Sequence, residues 1–178
     1  AIADAEVEYW DETDPSIFVK FPLAGKNDEY LVIWTTTPWT LPANVAVAVA
    51  TEFTYAKVRA VKDGKEEILW MADDLVQSVL KRGRYKDFTV LEKLPGTSLL
   101  GWEYDSPLAG CVPNQKKIRH RVVAADFVAM ENTGMVHIAP GHGWDDYLLG
   151  MKEGLPVVCP VDGAGRFTED AGSFAGKF

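Results

Sequence analysis

Two prolines, Pro38 and Pro42, lock the backbone inside the stretch Trp34-Thr35-Thr36-Thr37-Pro38-Trp39-Thr40-Leu41-Pro42-Ala43-Asn44. Each removes a backbone donor, and Pro38 pushes Thr37 towards an extended conformation, so no helix is expected there. A β-branched apolar run, Tyr30 to Trp34, leads in, and Val45 to Val49 leads out. The stretch must therefore join two strands through a stiff polar turn. Threonine suits a strand end, which would account for one or two hydroxyls. Four within six residues (Thr35, Thr36, Thr37 and Thr40), followed by the Asn44 amide and flanked by tryptophans, predict a ledge of donors and acceptors facing a ligand.

The remainder is ordinary globular sequence. A chain of 178 residues with 47% apolar and 25% charged residues is expected to form one domain, 1–178, with a real core. No apolar run approaches the roughly 20 residues that cross a bilayer. The start, Ala1-Ile2-Ala3-Asp4, has neither the basic region nor the apolar core of a signal peptide. With no initiator methionine and no closing element after Gly176-Lys177-Phe178, the expectation is a domain cut from a longer protein. Cys111 and Cys159 lack a metal-type partner spacing and are expected reduced, buried and structural, as in a cytoplasmic protein. A net charge of −8 argues against a broad field for nucleic acid while leaving room for a local basic patch.

Short strand-like runs dominate. They are expected at 7–10 and 17–21 around an Asp14-Pro15 turn, and at 54–61 and 66–71 as a hairpin closed by Asp63-Gly64. Further strands are expected at 88–94, 122–125, 135–138 and 157–159. Residues 73–83 read as a helix, with acids in its first turn, bases in its last and a terminal glycine. A second helix is predicted over 144–154, with Tyr147, Leu148 and Met151 on one face. The only dense basic cluster, Lys116 to Arg121, is a solvated strand edge or, as the alternative, a phosphate contact. About ten strands and two helices suggest an α+β, β-rich, barrel-like domain with short peripheral helices.

The other informative segment is Gly134-Met135-Val136-His137-Ile138-Ala139-Pro140-Gly141-His142-Gly143-Trp144-Asp145-Asp146. Singly, a strand histidine is a structural residue and first-turn aspartates are caps. Two histidines and two carboxylates could suggest zinc, but no cysteine or Glu-x-x-His companion supports a metal site. Together they describe a pocket with a carboxylate for an ammonium group and an imidazole to bound it or orient water. With no Gly-x-Ser-x-Gly elbow and no cysteine near a histidine in sequence, direct water attack without a covalent intermediate is expected.

Trp34 to Asn44, with Thr133 to Tyr147, resembles the editing domain, or connective polypeptide 1, inserted into isoleucyl-tRNA synthetases of class I. The resemblance spans most of the chain, and Thr37-Pro38-Trp39 stands where the valyl family has arginine and glutamate around the proline. Asn132 departs from the family's commoner Gly-Thr-Gly, although asparagine tolerates positive φ. The His-Ile-Gly-His and Lys-Met-Ser-Lys-Ser signatures of the ATP site are absent, so aminoacylation is not expected of this segment. The resemblance implies hydrolysis of valine mischarged on isoleucine tRNA, and possible cleavage of valyl-adenylate. One methylene in a hydrophobic pocket is worth only about 1–3 kcal/mol, a limit for which isoleucine against valine is itself the standard illustration.

By the same resemblance, Asp146 holds the α-ammonium and His137 borders the side-chain pocket and excludes isoleucine. Thr36, Thr37, Thr40 and Asn44 bind the terminal adenosine and ester and position water, with Thr35, Trp39 and His142 completing the binding surface. No cofactor or metal is implied for this domain, ATP and magnesium belonging to the full synthetase. The implied partners are the charged 3′ end of isoleucine tRNA and the remaining synthetase domains, with no membrane. Two alternatives remain: a noncatalytic holder of the tRNA 3′ end, which would use aromatics and the basic cluster, and the editing domain of a sister valyl or leucyl enzyme.

Overall fold

Residues 15–178 are described by the computed structural model, so the strand expected at 7–10 and Asp14 of the first turn lie outside the described residues. The chain runs β1 (Ile17–Pro22), β2 (Glu29–Thr35), β3 (Ala46–Val49), β4 (Thr54–Lys62), β5 (Lys65–Ala72), α1 (Val76–Arg82), β6 (Asp87–Pro95), β7 (Arg121–Ala124), β8 (Met135–Ile138) and α2 (Trp144–Glu153). Five strands form one sheet in the order β1-β2-β5-β4-β6, and three form a second in the order β7-β3-β8. The strand-rich α+β class is as the sequence predicts.

Alternation builds three apolar layers. Between the sheets, Phe21, Leu31, Ile33, Tyr55 and Trp70 pack on Val47, Val49, Val122 and Met135. On the outer face of the larger sheet, Val32, Val58, Leu69 and Met71 are covered by Val76, Val79 and Leu80 around α1. Behind the smaller sheet, Ala46, Ala48, Val123 and Ile138 meet Leu149 of α2. β3 is buried on both faces, which is why Val45 to Val49 reads as an unbroken apolar run. The expected hairpin forms, with Asp63 and Gly64 at φ 52° and 77°, the left-handed pair of a type I′ turn.

Several expectations need correction. Pro38–Ala43 is a 3-10 helix, not a helix-free turn. Thr37 is non-helical as Pro38 requires (φ −120°, ψ 60°), but proline at the first helical position needs no intrahelical partner, so the turn starts just after it. The helix expected over 73–83 begins as a 3-10 turn, Asp73–Leu75, and only then becomes α1. Gly83 keeps φ −71°, and Arg84 takes the left-handed conformation at φ 60°. Residues 157–159 form no strand; the nearest pairing is a single bridge between Val161 and Phe167. Leu148 and Met151 face outward, and α2 meets the core through Leu149 and Gly150 instead. Both cysteines are free, but neither is buried: Cys111 is half-buried and Cys159 exposed. The basic cluster is no continuous strand edge: Lys116 and Lys117 end a 3-10 turn, His120 is buried, and Arg119 and Arg121 pair with Glu103 and Glu153.

Candidate active site

Strand pairing brings the two informative segments together. β3 leaves the threonine turn and runs antiparallel to β8, setting Val47 opposite His137, while the Val45 N–H donates to the Ile138 carbonyl at 2.9 Å. His137 therefore lands beside the turn that precedes β3. Its Nε2 lies 2.9 Å from Thr40 Oγ1.

Within the turn the threonines divide their work. Thr40 donates to the Thr37 carbonyl through both its N–H (3.0 Å) and its hydroxyl (2.8 Å). The hydroxyl has one proton, so its oxygen accepts from His137 Nε2–H, which leaves Nδ1 as the lone-pair nitrogen. That Nδ1 is buried with no hydrogen-bond partner among the described residues. Thr35 Oγ1 accepts from the Thr37 N–H at 3.0 Å. Thr36 is exposed and Thr37 half-buried, and neither hydroxyl takes an internal hydrogen bond among the described residues. These two are the hydroxyls available to a ligand.

Asn44 is fully buried, and both ends of its amide are engaged: Nδ2 donates to the Ala46 carbonyl at 2.9 Å and Oδ1 accepts from Tyr104 at 2.7 Å. It anchors the turn from below instead of facing the ligand side with Thr36. Gln115 Nε2 donates to the carbonyls of Pro42 (2.9 Å) and Asn44 (3.1 Å), and His120 Nε2 lies 3.0 Å from Gln115 Oε1. Sequence reasoning missed Tyr104, Gln115 and His120. They come from the irregular stretch between β6 and β7, and contacts across 60 to 76 residues leave no local pattern to read.

On the other side, Asp146 stands in the first turn of α2 but does not cap it. Its Oδ2 accepts from the Ala139 N–H at 2.8 Å, which leaves Oδ1 for another donor. A Cβ on Gly143 would stand 3.1 Å from the Asp146 carboxyl, so the glycine lets this side chain fold back. Burial raises the Asp146 pKa, against the Ala139 N–H that lowers it. Burial lowers His142, opposed by Asp146. Burial, and secondarily His142, pushes His137 down to about 4. Trp39 meets the His142 ring edge-on, with centroids 5.2 Å apart and planes at 89°. Among the described residues no group of three or more His, Cys, Asp or Glu side chains is placed to share a metal ion. Asn132 has φ 54°, the left-handed value its place in the turn requires.

The loop bearing His142 is held by close approach. A Cβ on Gly141 would fall 2.1 Å from the Val158 carbonyl oxygen, and backbone cannot yield as a side-chain tip can. Gly141→Ala is expected to lower stability by about 1–3 kcal/mol, read as a fall in the unfolding midpoint. An unchanged midpoint would show that residues 139–143 shift without cost.

No family model matches the chain. Among solved structures it is similar to the cytosolic leucyl-tRNA synthetase editing domain of P. knowlesi (TM-score 0.61, 14% identity, 78% of this chain and 62% of that one). The corresponding P. falciparum editing domain gives a TM-score of 0.56 at 15% identity over 67% of this chain and 45% of that one. The fold is thus that of a synthetase editing domain. Among curated proteins, the isoleucine–tRNA ligase of Methanoculleus marisnigri is 72% identical over 178 residues, all of this chain and 17% of its own length. That of Methanoregula boonei is 74% identical over the same 178 residues, 16% of its length. The chain belongs to the isoleucine–tRNA ligase family, as an editing-domain segment about one sixth the length of those relatives.

Proposed function

We propose that this segment hydrolyses the ester joining valine to isoleucine tRNA, as the editing part of a cytoplasmic isoleucine–tRNA ligase. The observation that carries the reading is the junction of the threonine turn with His137 at 2.9 Å, beside a half-buried Asp146 carboxylate with one oxygen uncommitted. Asp146 takes the α-ammonium of the bound amino acid. Thr36 and Thr37 hold the terminal ribose and ester and position a water, and Trp39 and His142 wall the opposite side. Water adds to the carbonyl carbon, and the bond to the ribose oxygen breaks. That oxygen takes a proton, and valine leaves as its carboxylate with the second proton released to solvent.

His137 in this scheme is a wall and not the base. With a pKa of about 4 it is neutral near pH 7 but a weak proton acceptor, far from the value suited to general-base work. Its Nε2–H is committed to Thr40, so the ring presents a fixed edge towards the side-chain pocket. Asp146 also separates this reading from that of a passive RNA holder, since a binding-only site for a polyanion gains nothing from a carboxylate.

The test is deacylation of valyl-tRNA by the full-length ligase and by this segment alone. The full enzyme should hydrolyse it, and the segment far more slowly, because tRNA contacts elsewhere in the ligase contribute to positioning as well as affinity. A full-length enzyme inert towards valyl-tRNA would sink the hydrolytic reading and leave the holder. Chelation should spare the activity once the tRNA's magnesium is restored; rescue by zinc alone would make His137 and His142 ligands.

A further inference from the structure

The outer face of the five-stranded sheet carries a basic cleft that the hydrolytic site does not use. It encloses about 380 Å³ beside α1, and Phe18, Lys20, Lys62, Arg82, Arg84 and Tyr85 are among its lining residues. Strand register explains why it exists. Phe18 pairs with Trp34 and Lys20 with Val32 across β1 and β2, so all four share one face. In a chain of net charge −8, four cations converge here. Lys20 is held by the buried Glu67 at 2.5 Å, while Lys62, Arg82 and Arg84 have no carboxylate partner among the described residues.

The cations are interleaved with aromatic faces. The Arg82 guanidinium lies 4.9 Å from the Phe18 ring centroid and 5.8 Å from that of Trp34. The Lys62 ammonium is 5.4 Å from the Tyr85 ring. Trp34 then opens onto a neighbouring hollow of about 260 Å³ that it shares with Thr36, Phe127 and Asn132. Arg82 bridges the two hollows, reaching Asn132 Oδ1 at 3.5 Å. Phe127 is 42% exposed, and Trp34 Nε1 is buried with no partner among the described residues. The track thus runs from the cations, past Trp34, to Thr36 just beyond the end of β2.

We propose that this track holds single-stranded RNA: the backbone of the nucleotides just before the esterified 3′ end lies on Lys62, Arg82 and Arg84, and a base stacks against Trp34 and Phe127. The inference rests on the hydrolytic reading for where the strand must end. Cationic tips beside π-faces, continuous with a polar ledge, suit a strand of phosphates and bases. An acidic peptide would use the cations but leave the hollow at Trp34 and Phe127 unexplained.

The variants are Lys62→Gln/Arg84→Asn, the asparagine tolerating the left-handed backbone of residue 84, and separately Arg82→Gln. Both are made in the full-length ligase and assayed on valyl-tRNA and on the valyl ester of adenosine, which has no phosphate. For the double variant, KM for valyl-tRNA should rise roughly tenfold at low salt, and the log–log salt slope should shrink by about 1.4, or ~0.7 per lost single-strand phosphate contact. Arg82→Gln should raise KM in the same direction. Hydrolysis of the adenosine ester should be unchanged. Unaltered KM and slope would overturn the track, and an equal loss on the small ester would also do so by placing the damage in the hydrolytic site. If the wild-type ligase hydrolyses neither substrate, the functional reading has failed. The salt slope of uncharged-tRNA binding by the same variants then carries the test: a smaller slope supports the track and an unchanged one overturns it.

Discussion

Asp146→Asn in the full-length ligase is expected to cut hydrolysis of valyl-tRNA by about ten- to a hundredfold while leaving correct isoleucyl-tRNA intact. Asparagine keeps an oxygen for the Ala139 N–H, so the loop stays anchored and only the charge is lost. A charge-assisted contact in a partly dry site is worth about 1.5–3 kcal/mol, which sets the range. The ammonium is common to all amino acids, so removing its partner gives no advantage to the larger one. His137→Ala has the opposite signature. If His137 borders the side-chain pocket as proposed, removing this buried ring opens room for at least one methylene, and the enzyme should begin to hydrolyse isoleucyl-tRNA. Assaying both charged tRNAs with both variants separates the roles. Full activity in Asp146→Asn would place the ammonium elsewhere. If His137→Ala loses valine hydrolysis with no gain on isoleucine, the sieve lies among Thr37, Trp39 and Thr40.

What could be read from the sequence follows from how local each cause is. The β4–β5 hairpin was legible because Asp63-Gly64 writes its turn type into two residues. The threonine turn was legible as a polar ledge but not as a 3-10 helix, because proline's effect changes sign between the position before it and the first helical position. The apolar residues of α2 were visible, yet periodicity cannot say which stripe faces the core. Leu149 and Gly150 do, with Pro140 only 3.0 Å from where a Gly150 Cβ would stand, while Trp144 is left 72% exposed.

The site shows the same division. Thr36, Thr37, Thr40, His137 and Asp146 lie in two short segments, and the β3–β8 ladder unites those segments. Asn44 belongs to the same motif, but its burial depends on Tyr104, whose hydroxyl reaches it from 60 residues away. Gln115 and His120 complete that support from a stretch with no regular pattern. A buried amide with both ends engaged fixes the height of the turn above it, and with it the position of Thr40 against His137. The candidate residues stood in motifs, whereas the residues that hold them in place had no signal until the chain was folded.

Acid should weaken the fold through His137. Its pKa is about 4 in the folded protein against 6.5 for the ordinary side chain, because burial at 8% exposure disfavours the charged ring. The unfolded chain therefore takes up the proton first. Above pH 6.5 the ring is neutral in both states and there is no penalty. Between pH 6.5 and 4 stability falls by about 1.4 kcal/mol per pH unit, reaching roughly 3 kcal/mol. His142, also lowered by burial, adds in the same direction, whereas Asp146, raised by burial, works against it as the pH enters the carboxylate range. His137→Gln isolates the contribution, since glutamine can still donate to Thr40 but does not titrate. His142 and His120, both lowered by burial, titrate in both proteins, so urea unfolding between pH 7.5 and pH 4.5 should show the wild type losing roughly 2–3 kcal/mol more stability than the variant. Equal losses would mean that His137 is solvated in the native state. The ring would then be free to act as a base, and its part as a rigid wall would fall with the stability argument.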